Sequence, residues 1–142
     1  MKQKLKFKAW HIETEKMYDV DCMYFDEDGV SNITLRNMVA YDTLEPLLGV
    51  NDVELIMCTG VLDAKGREIS VGDIIRIPNI SDIVKIETKD SDVIDMVTGI
   101  VEYDDGVFMC NGATSGIVVT SDMVESFNLE VVGNIYENPS LI

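Results

Sequence analysis

Histidine is nearly absent from this 142-residue sequence, which contains one His and one Trp. Catalysis by a Ser-His-Asp or Cys-His arrangement needs a positioned imidazole or an equivalent base. His11 is the sole candidate. It follows Trp10 at the end of an alternating segment, and no G-x-S-x-G motif or family-type cysteine motif accompanies it. We therefore interpret His11 as structural or simply exposed.

Cysteine is also scarce, with three residues at Cys22, Cys58 and Cys110. Their number is odd, they lie far apart, and each sits within an apolar stretch. This pattern is typical of reduced, buried thiols that act as small hydrophobic residues in a cytosolic protein. No disulfide framework is expected, and no C-x2-C spacing predicts a zinc site.

Long apolar runs are missing as well. No segment approaches the roughly 18 consecutive apolar residues of a transmembrane helix. The start, MKQKLKFKAW, has neither a continuous apolar region nor a small-residue cleavage site. We expect no membrane association and a cytoplasmic location.

Positive charge is sparse and uneven. The formal net charge is -15, and residues 9–142 carry seven Lys or Arg against 26 Asp or Glu. The negative electrostatic field of such a chain repels nucleic-acid phosphates and favours association with basic protein surfaces. A role of the acids in solubility alone is the other explanation of the charge excess. The alternation of Lys4, Lys6 and Lys8 with Leu5, Phe7 and Ala9 is typical of an edge strand, with Trp10 on the lysine face. Stacking of single-stranded nucleic acid on Phe7 and Trp10 is the alternative, which the acidic remainder opposes.

Recognisable ligand loops are lacking. The acidic segments 26–29 and 90–95 do not have the glycine position of a calcium loop, and residues 111–116 (NGATSG) lack the terminal Lys of a phosphate loop. Nothing singles out two of the 26 acids as an acid-base pair. The residues thus predict no metal or cofactor and give no reason to infer an enzyme.

Strand patterns, by contrast, are abundant. Period-2 alternation and β-branched runs, separated by pairs such as Asp28-Gly29, Lys65-Gly66, Asp105-Gly106 and Asn111-Gly112, predict antiparallel hairpins. Seven or more short strands joined by tight turns are typical of a barrel or sandwich. The fold class predicted is mainly β with minor α.

One short helix or helical turn is predicted within residues 41–50 (YDTLEPLLGV), beginning near Asp42 or Thr43 and ending at Gly49. This interlude suggests an N-terminal β-hairpin region, 1–50, followed by a β-rich region, 51–142, with an acidic insertion near 78–95 that holds a strand at Ile83–Ile86. A single compact unit is the alternative.

Three stretches together resemble the YopX family of small phage and prophage proteins. They are KFKAWHIETEKM (6–17), ELIMCTGVLDAKGREISVGDIIRI (54–77) and VVGNIYENPSLI (131–142), similar to the family's opening, its T-G-x-x-D-x-x-G-x-x-I-x-x-G-D-I segment and its close. His11 departs from the family pattern, which usually has an acid there. The acidic segment after Pro78 is longer than the usual connection, which suggests a variable, partner-facing loop.

This resemblance implies an SH3-like barrel in the C-terminal portion, phage or prophage origin and self-association, and it implies no catalytic residues or cofactor. The motif residues are expected to have structural roles in turns, backbone hydrogen bonds and a pinned C-terminal turn. They are Trp10, Gly60, Asp63, Gly66, Gly72, Asp73, Gly133, Asn134, Tyr136, Asn138 and Pro139.

The function expected is that of a non-enzymatic, homo-oligomeric phage protein that acts through contacts with itself or with a host or phage protein. The alternative is an acidic inhibitor that occupies the DNA site of a host protein. A hydrolase with unrecognised carboxylates would require a deep pocket lined by two converging acids.

Overall fold

A computed structural model describes residues 5–79, 96–113 and 115–142. The fold is mainly β, with antiparallel sheets and one short α-helix within these ranges. The chain divides into two compact units, Met1–Cys58 and Thr59–Ile142. The predicted boundary after residue 50 remains a prediction. The acidic segment and its strand at Ile83–Ile86 lie largely outside the described residues.

The first unit is built on a sheet with the strand order β6-β3-β2-β1-β7, all its pairs antiparallel where the register is defined. Because β1 pairs with β2 on one side and with β7 on the other, the prediction of an edge strand near the N-terminus is wrong. A separate two-stranded hairpin, β4–β5, follows β3 in the chain. The strands are β1 (Phe7–His11), β2 (Lys16–Asp26), β3 (Gly29–Leu35), β4 (Val39–Ala40), β5 (Thr43–Leu44), β6 (Leu48–Gly49) and β7 (Val53–Leu62), with a 3₁₀ helix at Val50–Asp52.

Alternation along these strands produces the first core, because successive side chains point to opposite faces. Ala9, Ile33, Leu35, Met38 and Leu48 are all buried in it. The Asp28-Gly29 signal correctly predicts the β2–β3 hairpin, in which Asp26 pairs with Gly29.

The predicted helical turn at residues 41–50 is wrong. Tyr41 and Asp42 have φ values of 54° and 57°, the left-handed region in which a right-handed helix cannot propagate. They form instead the two-residue turn of the β4–β5 hairpin, where Ala40 pairs with Thr43. The 3₁₀ helix that follows begins only at Val50.

The second unit contains a five-stranded antiparallel sheet in the order β12-β11-β10-β9-β13. The end of β7 continues into this unit and neighbours β8. The elements are β8 (Glu68–Ser70), β9 (Asp73–Pro78), β10 (Met96–Asp104), β11 (Val107–Gly112), β12 (Gly116–Val118), α1 (Ser121–Phe127), β13 (Val131–Asn134) and a 3₁₀ helix at Pro139–Leu141.

Helix α1 covers the second core, which is formed mainly by β-branched side chains of the sheet. Val124 and, just after the helix, Leu129 pack against Ile75, Ile77 and Val101. No closed barrel is found in the ranges that the structure describes, because β12 and β13 are the two ends of the strand order. The SH3-like barrel therefore remains a prediction.

Candidate functional surfaces

The segment of residues 59–73 is organised around one carboxylate, that of Asp63, whose side chain is completely buried. One oxygen, Oδ1, accepts the backbone N–H groups of Lys65 (2.9 Å) and Arg67 (2.8 Å). The other, Oδ2, accepts the backbone N–H of Val131 (3.0 Å) and lies 3.3 Å from Nε of Arg67. All four acceptor positions of the carboxylate are therefore occupied.

These donors determine the charge state of Asp63. Burial by itself raises the pKa, but the backbone hydrogen bonds from Val131, Arg67 and Lys65, together with the Arg67 charge, outweigh it. The net effect is a pKa lower than the ordinary 3.8. Arg67 also donates from its guanidinium to the Val131 carbonyl at 2.7 Å. Asp63 thus ties a turn to β13, 68 residues along the chain.

An open pocket of about 730 Å³ lies beside this turn, entirely within the second unit. Two acids, Asp63 and Glu125, contribute to its lining. Acid-base chemistry needs a carboxylate that can exchange a proton with a substrate. The Asp63 oxygens already accept from four donors, so this carboxylate has no position left for a substrate proton. The other lining residues are Gly60, Leu62, Ala64, Ser121, Val124 and Asn128.

The glycines of this segment do not all lie where the sequence suggests. Gly60 lies within β7, whereas Gly66 and Gly72 lie in turns, and all three have positive φ. At Gly72, with φ of 90°, an added Cβ would also meet the Tyr136 ring at 3.0 Å. The next residue, Asp73, accepts the Ser70 N–H at 2.7 Å. Gly72 thus permits the C-terminal turn to pack closely.

The C-terminal turn is held by two asparagine side chains. Asn134 Oδ1 accepts the N–H groups of Tyr136 (3.1 Å) and Glu137 (2.8 Å), and Asn138 Oδ1 accepts the N–H of Asn134 (3.2 Å). A Cβ on Gly133 would lie 2.7 Å from the same Asn138 oxygen. Pro139 begins the final 3₁₀ helix. These contacts provide a structural explanation for the turn.

Of the two residues singled out near the N-terminus, Trp10 is half-buried and His11 is buried at 1% exposure. Nδ1 of His11 accepts the Thr14 N–H at 3.3 Å and lies 2.7 Å from the Thr14 hydroxyl. His11 therefore stabilises the turn after β1.

The three cysteines differ in environment. Cys22 is exposed, Cys58 is half-buried and Cys110 is buried. Burial, with a smaller contribution from the Glu102 charge, raises the pKa of Cys110 to about 12, which makes this thiol inert at neutral pH. The expectation of three buried thiols is therefore wrong for Cys22. In the described parts of the chain, no three His, Cys, Asp or Glu side chains cluster as metal ligands.

The β4–β5 hairpin is the surface that sequence reasoning missed. Val39 and Leu44 pair directly across it and are 69% and 67% exposed. Met38 and Ala40, the alternate residues, pack in the first core. The hairpin thus has one anchored face and one exposed apolar face. Alternation over only two residues per strand is too short to reveal this arrangement from sequence.

Strand β12 lies at one end of the five-stranded order among the described strands, and one of its side chains, Val118, is exposed. Residues 116–120 (GIVVT) contain no charge, and Val118 is 42% exposed opposite Met109 of β11. The other edge strand, β13, is different, because the Asp63 carboxylate and the Arg67 guanidinium bind the Val131 N–H and carbonyl.

The sequence profile of the YopX protein family matches residues 6–142, almost the entire chain. The chain belongs to the YopX family. This agrees with the motifs at both termini and around Asp63, which lie within the matched range. No curated protein matches the YopX-family chain in sequence.

Two crystal structures share the fold. Protein EF1440 from Enterococcus faecalis has a TM-score of 0.68 at 20% identity, with 99% of each chain covered. Protein yopX from Bacillus subtilis has a TM-score of 0.56 at 20% identity, with 96% of this chain and 97% of that chain covered. At this identity, the similarity to both structures concerns the fold alone. Within the described residues, no helix has the length and apolarity needed to cross a membrane.

Proposed function

We propose that the chain is a non-enzymatic, self-associating protein of phage or prophage origin that acts through protein contacts in the bacterial cytoplasm. Membership of the YopX family supports this proposal, since the family resemblance implies self-association and no catalytic residues. For the fold, we propose that the C-terminal portion forms an SH3-like barrel, and an experimental structure would test this.

The observation that carries the proposal is the uncharged edge of β12. Exposed edge strands present unpaired N–H and C=O groups, and proteins commonly protect them with charges. Residues 116–120 have none, although the sequence as a whole has 26 acids. Val118 and Val107, 42% and 40% exposed, add apolar surface beside this edge. Antiparallel pairing of β12 with the same strand of a second copy would extend the sheet across a two-fold axis.

Size-exclusion chromatography with light scattering tests the assembly. We expect the wild type at micromolar concentration to exceed the mass of one chain, and Val118→Lys to reduce that mass. Val132→Lys is the matched control, because Val132 is 43% exposed on the opposite edge strand. A monomeric wild type, or equal masses for the two variants, would contradict the proposal.

A second candidate function is inhibition of a host DNA-binding protein by an acidic surface. The observation in favour is the excess of acids beyond residue 8, which would complement a basic DNA site. Affinity purification from host lysate, followed by competition with duplex DNA, tests it. If the chain recovers no DNA-binding protein, or if DNA does not compete, this second function is contradicted.

A further inference from the structure

The β4–β5 hairpin carries a surface whose composition is unusual for a solvated turn. Four apolar side chains, which we call the hairpin tip, are each at least 62% exposed. They are Val39 (69%), Tyr41 (71%), Leu44 (67%) and Leu47 (62%). Val39 and Leu44 pair across the hairpin, and exposed apolar side chains that adjoin in this way mark interaction sites in soluble proteins.

The backbone of this hairpin is strained at Tyr41, its exposed aromatic residue. A turn with both central residues at positive φ strongly favours Asn-Gly or Asp-Gly. Here the central residues are Tyr41 and Asp42, with φ of 54° and 57°. Asn37 and Glu45, on either side, also have positive φ. Strain of this kind is concentrated at functional sites, where the surrounding structure holds it in place.

The Tyr41 ring is also held in position. Its hydroxyl donates to Oε2 of Glu13 at 2.7 Å, across 28 residues of sequence. This hydrogen bond and the Glu13 charge raise the pKa of Tyr41 above its ordinary 10.0. A fixed, exposed tyrosine loses little conformational entropy on binding, which is why tyrosine is frequent among the residues that dominate interfaces.

The segment that carries the hairpin tip is acidic in sequence. Residues 37–58 contain four acids and no Lys or Arg. Glu13 and Asp42 are exposed, and Glu45 is half-buried with its carboxylate accepting the Asn37 N–H at 2.9 Å. The nearest cation in the sequence, Arg36, forms an ion pair with Asp21 at 3.6 Å. Lys16 lies three residues from Glu13, so the excess of negative charge beside the apolar surface comes mainly from Asp42 and Glu45.

We propose that the hairpin tip docks a basic, amphipathic segment of a partner protein. Apolar side chains of that segment pack against Val39 and Leu44, the Tyr41 ring inserts between them, and Lys or Arg side chains pair with Glu13 and Asp42. The acidic border favours this occupant over a second copy of the chain, because two hairpin tips would bring like charges together.

Binding of a defined probe tests the proposal. The probe is a 12-residue peptide of alternating Lys and Leu, with an alternating Glu and Leu peptide as its control. Titration of the ¹⁵N-labelled protein followed by NMR should shift the amides of residues 37–47 with the Lys peptide only. Tyr41→Asn should weaken binding by about tenfold or more, as for the loss of a dominant interface residue.

The variants are chosen so that folding does not obscure the result. Asn tolerates positive φ, so Tyr41→Asn removes the ring while keeping the turn, and its unfolding midpoint should not fall. Asn37→Gly is the matched control: Asn37 also has positive φ, and its backbone N–H to Glu45 is kept, so the Tyr41 ring and both carboxylates stay in place. It should bind more tightly than Tyr41→Asn.

The proposal is overturned if the Lys peptide shifts amides elsewhere, if both peptides bind equally, or if Tyr41→Asn retains wild-type affinity. It is also overturned if the wild type forms an oligomer and the Leu44→Ser variant has a lower oligomer mass. The hairpin tip would then bind a second copy of the chain. The Val118→Lys experiment addresses a different strand, so the two proposals can fail separately.

Discussion

Among single residues, Asp63 has the largest structural role that the hydrogen bonds define. Asparagine at this position has one acceptor oxygen in place of two, so Asp63→Asn leaves buried N–H groups facing an amide N–H₂. We expect a loss of about 3 kcal/mol in the free energy of unfolding, measured with urea at pH 7. Asp104→Asn, an exposed control, should change it by less than about 0.5 kcal/mol. Equal effects of the two substitutions would contradict the role assigned to Asp63.

The same carboxylate determines part of the pH dependence. Because the pKa of Asp63 is lower in the folded state than its ordinary 3.8, its stabilising effect is complete above pH 3.8 and is lost as the pH falls through the folded-state value. The wild type should therefore lose more stability than Asp63→Asn when the pH is lowered from about 5 to about 2.

For single residues, the sequence indicated which side chains have structural roles more reliably than it indicated their hydrogen-bond partners. The D-x-x-G pattern indicated that Asp63 accepts N–H groups in its own turn, and it does so from Lys65 and Arg67. Its third backbone donor, Val131, lies too far along the chain for any local pattern to identify. Tyr41 was missed for a related reason, since turn rules search for Gly or Asn at positive φ.

Among the elements, α1 depends on its first residues, because it has only seven residues and one buried side chain, Val124. Thr120 provides the N-cap: its hydroxyl accepts the Met123 N–H at 3.2 Å. Thr120→Ala should reduce the free energy of unfolding by about 1 kcal/mol, and Thr120→Ser should retain most of it. If Ala and Ser behave alike in thermal or urea unfolding, the hydroxyl does not stabilise the helix.

Sequence reasoning predicted no helix at Ser121–Phe127 and a helical turn where the β4–β5 hairpin lies, and both elements are short. An isolated helix of seven residues is marginally stable, so α1 depends on the packing of Val124 and Leu129 against the second core. Two turns are also too short for a clear helical pattern of apolar residues in the sequence. The β4–β5 hairpin has two residues per strand, and YDTLEPLLGV resembles a helix as closely as a turn. The longer strands were predictable, because alternation and the Asp-Gly turns reinforce each other over many residues.

In the whole molecule, the distribution of charge affects stability as well as binding. A net charge of -15 on 142 residues repels itself more strongly in the compact state than in the unfolded chain. Salt screens this repulsion, with a Debye length that falls from about 30 Å at 0.01 M to about 8 Å at 0.15 M. We therefore expect the thermal unfolding midpoint to rise over this range of sodium chloride concentration.

A charge substitution separates this effect from other actions of salt. Glu27 is exposed in the β2–β3 turn, and the hydrogen bond across that turn joins Asp28 N–H to Asp26, so the Glu27 side chain can be replaced without loss of that bond. Glu27→Lys should raise the midpoint at 0.01 M salt and reduce its salt dependence, and Glu27→Gln should give about half of each change. A midpoint that does not rise with salt, or a salt dependence that is the same in all three proteins, would show that self-repulsion does not limit the stability of this fold.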